Sequence, residues 1–220
     1  MSSSVYSANS SESFDSICDR LKTFPTPLLP PGKSYDGTLT DKISSLYCHP
    51  ALEALLHILN LDLPSAHFLC RKMQSAPAYE GMYIHGLLHR IEGDLDNTRA
   101  WYADVQDSDC FISVWGEATH EERKEADSIK DQYRVGKAPA QKRTRDFLDA
   151  VENLQKHKQG DREALEKESR REINELLRWC KDKFGAGKWE DAKKVWVGNS
   201  EEIKNMSQDM TTGDKGHRHF

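Results

Sequence analysis

Between residues 41 and 105, apolar side chains recur at helical spacing in short runs separated by proline or glycine, and no strand-like alternation is sustained. That punctuated period restricts the fold more than any other feature of the chain. "HPALEALLHILN" (49–60) opens on Pro50, which suits a first helical turn because its missing N–H has no partner to lose there. "LPSAHFLCRKM" (63–73) repeats the device with Pro64; Pro77 closes it, and "AYEGMYIHGLLHRIEG" (78–93) follows. Gly93 and Asp94 then break the chain, with Asp94 a natural N-cap for "LDNTRAWYADV". "CFISVW" (110–115) is β-like in composition but too isolated to build a sheet. The fold class expected is all-α, built of antiparallel helical hairpins with disordered termini.

Charge density changes near residue 116: 22 of the first 115 residues are charged, against 45 of the remaining 105. The second part still reads as helical. Thr119 and Glu122 have capping-box spacing, and "DREALEKESRREINELLRWCKDKF" keeps Leu165, Ile173, Leu176, Leu177, Cys180 and Phe184 as a narrow apolar stripe among opposite charges. Four regions are predicted. Residues 1–40 form a flexible tail with a short amphipathic segment (Phe14, Ile17, Leu21, Phe24) and a Pro-rich linker, "FPTPLLPPG". Residues 41–116 form a helical core domain, 117–200 a charged helical extension packing on it and largely solvated, and 201–220 a disordered tail.

Two segments 94 residues apart echo each other, "GDLDNTRAWY" from Gly93 and "GKWEDAKKVW" from Gly187. Each has glycine at a turn, a small residue for close packing (Thr98, Ala192) and an aromatic four residues on (Tyr102, Trp196). This resembles the second half of a tetratricopeptide repeat, with Gly86 at the first-helix glycine position; the match covers 82–105 and 187–196. It implies a bundle or a short tetratricopeptide-like array. His85 and His89 fall where that repeat prefers apolar residues, and 94 is no multiple of its 34-residue period. The stretch 79–115 also looks like a group of small helical proteins, a likeness that bears on fold and carries no activity.

A net charge of −5 gives no general attraction to nucleic acid or anionic membranes, and no apolar run approaches the roughly 20 residues of a membrane span. The serine-rich start, "MSSSVYSANSSES", lacks the apolar core of a secretory signal. The five cysteines are scattered without a C-x-x-C pair, which argues against a disulfide framework and against a thiolate zinc site. A reducing, cytoplasmic location is expected.

The chemistry-bearing candidates cluster in 81–104. On a helix, Ile84, Leu87, Leu88 and Ile91 make one face, while His85, His89 and Glu92 make a second stripe at its edge, with Arg90 on the far side. Histidines at i and i+4 can share a metal ion, with Glu92 as a carboxylate one turn on, although Gly86 stands where a zincin has its general base. One imidazole could instead act as an acid–base residue oriented by Glu92 or Asp94. The expected reading is structural, with the histidines bonded to a neighbouring helix or to Trp101 and Tyr102. His49, His57 and His67 could converge on the same place if the hairpins stack.

The function expected first is a binding or scaffold protein whose hairpin groove, lined by Arg90, Asn97, Trp101 and Tyr102, receives a partner peptide or small molecule. The alternatives are a small-molecule isomerase, cyclase or hydrolase using His85, His89, Glu92 and Asp94, and a metal protein using His85, His89 and Glu92. No cofactor is predicted, with a divalent metal such as zinc as the alternative. The partners expected are a protein or a small molecule, with neither nucleic acid nor membrane.

Overall fold

The computed structural model describes residues 12–30, 32–201 and 204. Most of the serine-rich start and the C-terminal tail, on which disorder was expected, lie outside these. The described residues are all-α, with no strand: α1 (Phe14–Leu21), α2 (Leu39–Ser44), α3 (Pro50–Leu59), α4 (Leu63–Cys70), α5 (Tyr79–Glu92), α6 (Leu95–Val105), α7 (Asp109–Trp115), α8 (His120–Ile129), α9 (Lys142–His157) and α10 (Arg162–Phe184), plus two short 3-10 turns.

Local chemistry sets most boundaries. His49 caps α3 through Nδ1, which accepts from the Ala51 N–H, and Pro50 follows in the first turn. Gly93 ends α5 in the left-handed conformation (φ 84°), and Asp94 then caps α6 by accepting from the Asn97 N–H. Thr119 and Glu122 form a reciprocal capping box at the start of α8. The hairpins α3–α4 and α5–α6 follow directly from these stops, because loops of two or three residues force each helix back along its predecessor.

Two expectations are corrected. "CFISVW" lies in α7, because burying Cys110, Phe111, Val114 and Trp115 on one side outweighs the β preference of Ile112 and Val114. The second copy of the echo forms no hairpin: Gly187–Trp196 holds only a 3-10 turn at Ala192–Val195, and its Trp189 N–H bonds to Tyr47 O (2.7 Å). The charged second part packs on the rest through the apolar sides of α9 and α10. Phe147, Leu148 and Val151 of α9 and Ile173, Leu176 and Cys180 of α10 belong to the same core as α3, α5 and α7.

The N-terminal segment is also tied down. Phe14, Ile17 and Leu21 are buried, with α1 packed against α3. The proline-rich stretch lies along α10, where Arg170 donates to Phe24 O (2.7 Å) and Ser169 to Pro27 O (2.6 Å).

At the centre is a fully buried polar group. Glu172 of α10 accepts from Tyr83 (3.0 Å) and Tyr102 (2.6 Å) through one oxygen and from Arg90 (2.9 Å) through the other. Trp115 Nε1 donates to Tyr83 Oη (2.6 Å), so α5, α6, α7 and α10 meet on one carboxylate.

Candidate metal centre

The α5–α6 hairpin places the histidines. Gly86 lets the helices approach so closely that a Cβ there would sit 2.7 Å from Trp101 Cβ. That approach brings the Trp101 indole over the His85 ring, with centroids 4.7 Å apart and planes at 28°. One turn along α5, His89 stacks on the other side of His85 at 4.9 Å. Helix α4 packs against α5 and adds His67, whose Nε2 stands 3.1 Å from His85 Nε2.

Among the described residues, one nitrogen from each of His67, His85 and His89 lies within 4.8 Å of the others. A tetrahedral zinc with bonds of about 2.0–2.1 Å sets its nitrogens about 3.3 Å apart. The His67–His85 pair is already near that spacing at 3.1 Å, so the His89 ring is the one that must draw in to close the set. His85 is buried, whereas the side chains of His67 and His89 are 20% and 12% exposed, which leaves the group reachable from one side.

Glu92 completes the arrangement without joining the trio. Its two oxygens lie 3.3 Å from His67 Nδ1 and 3.2 Å from His89 Nδ1. An imidazole that gives its Nδ1 proton to a carboxylate presents the Nε2 lone pair, and this is how a carboxylate behind a metal-binding histidine fixes the tautomer. Burial pushes the Glu92 carboxyl up, but the hydrogen bonds from His67 and His89 outweigh it and hold it down at about 2. Burial, then the neighbouring His89 and His67, push His85 well below the ordinary histidine range, so its ring is neutral and able to ligate. The Cys70 thiol is raised by burial, which keeps it protonated and a poor ligand.

The sequence candidates therefore separate. His85, His89 and Glu92 come together as the helical stripe required, with Glu92 behind the histidines. Asp94 is committed to its cap, accepting from the backbone and side-chain nitrogens of Asn97 (3.1 and 2.5 Å). Of the four groove residues, Trp101 alone touches the histidines. Arg90 and Tyr102 are in the interior on Glu172, and Asn97 is buried at the cap, so these three give a partner no surface. His67 joins the cluster, while His49 stacks on Phe184 and His57 lies beside Asp62. The residue missing from the expected metal set was His67. Its signal is a histidine in a short apolar helix immediately before the histidine-bearing one.

No helix among the described residues is long and apolar enough to cross a membrane. Comparison with protein-family models, curated proteins and solved structures gives no match.

Proposed function

We propose that the protein binds one divalent transition metal ion of the zinc class through His67, His85 and His89, with Glu92 orienting two of the three rings. The observation that carries this is the shared carboxylate. Glu92 holds the Nδ1 atoms of His67 and His89, which turns their Nε2 atoms into the lone-pair side of each ring, and the His67 Nε2 then shares with His85 Nε2 a hydrogen bond (3.1 Å) that a bound ion would replace. Imidazole ligands suit zinc, copper, iron and nickel better than magnesium or calcium. Three protein ligands leave one tetrahedral position for water or a substrate atom, the pattern of reactive rather than purely structural zinc sites.

A metal-free acid–base site is the second reading, favoured by the same two carboxylate–imidazole contacts. Titrating chelator-treated protein with cobalt(II), followed by the visible spectrum of tetrahedral cobalt, separates them. One ion per chain is expected, competed off by zinc. His67→Ala and His89→Ala, both at partly exposed positions, should each lose the tetrahedral spectrum. Glu92→Gln should keep it with affinity weakened about 10–100-fold, as expected of an outer carboxylate. Equal cobalt binding by the parent and the His67→Ala/His89→Ala double variant would sink the metal reading and leave the acid–base one.

A further inference from the structure

A second site lies away from the histidine trio. After α10 the chain turns at Gly185 and passes back, with the 3-10 turn Ala192–Val195 on the way, as a strap over the N-terminal ends of α3 and α5. Tertiary hydrogen bonds fix it at both ends. Trp189 N–H donates to Tyr47 O (2.7 Å), Val197 N–H to Lys72 O (3.0 Å), and Ser75 to Gly198 O (2.6 Å). Between strap and helices is a cavity of about 260 Å³.

The wall of this cavity is apolar with one kind of charge left over. Ala51, Met73, Pro77, Val195 and the rings of Phe184 and Trp189 make most of it. Glu80 and Lys183, which also line it, neutralise each other at 2.7 Å, and the Glu80 oxygen also accepts from Trp179 (3.0 Å). Lys194 stands on the strap with no acidic partner among the described residues, which leaves the lining with one net positive charge. His49 adds a polar wall group. Its Nδ1 accepts from the Ala51 N–H, so its proton is on Nε2, and its ring is held flat against Phe184 with centroids 3.6 Å apart. Burial lowers His49 to about 4, so it offers a neutral N–H at physiological pH.

We infer that the strap cavity binds a small monocarboxylate with an apolar body, its head at Lys194 and its body against Met73, Pro77 and Phe184. At the roughly 30 Å³ that a water takes up in the liquid, the cavity has room for about nine such groups, the size of a medium-chain or simple aryl acid. An apolar pocket with a few convergent polar groups is the usual form of such sites. Nothing in this inference depends on the metal centre.

The test follows the indole N–H resonance of Trp189 by NMR while octanoate is added to the full chain, with 1-octanol as the uncharged control. Saturable, one-to-one binding of octanoate is expected, at least tenfold tighter than octanol. Lys194→Glu, at an exposed position, should weaken octanoate about tenfold or more, as expected for losing a charge-assisted contact, and leave octanol unchanged. Ala78→Phe, which fills the cavity, should abolish both. No shift of Trp189 with octanoate, or equal octanoate binding by the parent and Lys194→Glu, would overturn the assignment. The surface position of Lys194 keeps that variant informative even where the filled cavity unfolds the chain.

Discussion

Glu172→Ala is expected to lower the thermal midpoint by about 6–20 °C, because stripping one partner from a buried ion pair costs about 3–5 kcal/mol and a chain of this size loses roughly 2–4 °C per kcal/mol. Arg90 and Glu172 are both fully buried, and burial alone works against the Arg90 charge. The Glu172 carboxylate and the Tyr102 hydroxyl together outweigh that effect and keep the arginine charged. Removing it leaves a guanidinium in the core and deprives the Tyr83 and Tyr102 hydroxyls of their shared acceptor. Glu172→Gln should be milder, since one amide oxygen still accepts, but it too strands the charge. The diagnostic measurement is the double variant Arg90→Met/Glu172→Leu. Replacing a whole buried pair by apolar side chains is often neutral or better, so the double variant should be more stable than Glu172→Ala. Thermal melts of the three variants decide this. A Glu172→Ala midpoint within about 2 °C of the parent would mean that the pair is hydrated in solution.

This network also shows where sequence reading stops. Caps and breaks were legible because they are local: Pro50, Gly93, Asp94 and the Thr119–Glu122 pair act within a turn of themselves. The stripe of His85, His89 and Glu92 was legible for the same reason, since helical geometry alone fixes it. On a helix Arg90 reads as the far side of α5, yet nothing nearby in the chain says that this side is covered. Its partner is 82 residues away on a helix whose composition reads as solvated. His67 joins the cluster only through the packing of α4 against α5, which no spacing within either helix encodes. Segment 187–196 misled in the opposite direction. Its glycine, small residue and aromatic suit a hairpin, but its backbone closes only a 3-10 turn and bonds across to Tyr47. Local patterns thus gave the elements and one face of the site, while the core charge and the third histidine depend on which helices meet.

Gly86→Ala is the second substitution expected to have a large effect, and two opposing terms decide its sign. Alanine is the better helix former by roughly 0.5–1 kcal/mol in a helix interior, which favours the variant. Overpacking a well-filled contact costs typically about 1–3 kcal/mol and sometimes more. The new Cβ would lie 2.7 Å from Trp101 Cβ and 2.8 and 2.9 Å from two Tyr102 ring atoms. Neither neighbour is a free end that can swing aside. Trp101 Cβ is attached directly to the α6 backbone, and the Tyr102 ring is tethered by its hydroxyl to Glu172 at 2.6 Å. Helix α6 must therefore move as a unit, which pulls on the buried carboxylate and draws the Trp101 indole away from His85. The upper end of the overpacking range applies, and the net loss should be about 2–3 kcal/mol, a midpoint lower by roughly 4–12 °C. Gly37→Ala is the control, since nothing lies within 4 Å of its Cβ position, and it should be nearly neutral. Because Trp101 stacks on a proposed ligand, Gly86→Ala should also weaken cobalt binding while the chain remains folded. A midpoint equal to or above the parent's would mean that α5 and α6 stand further apart in solution, and the stacking that positions His85 would lose its basis.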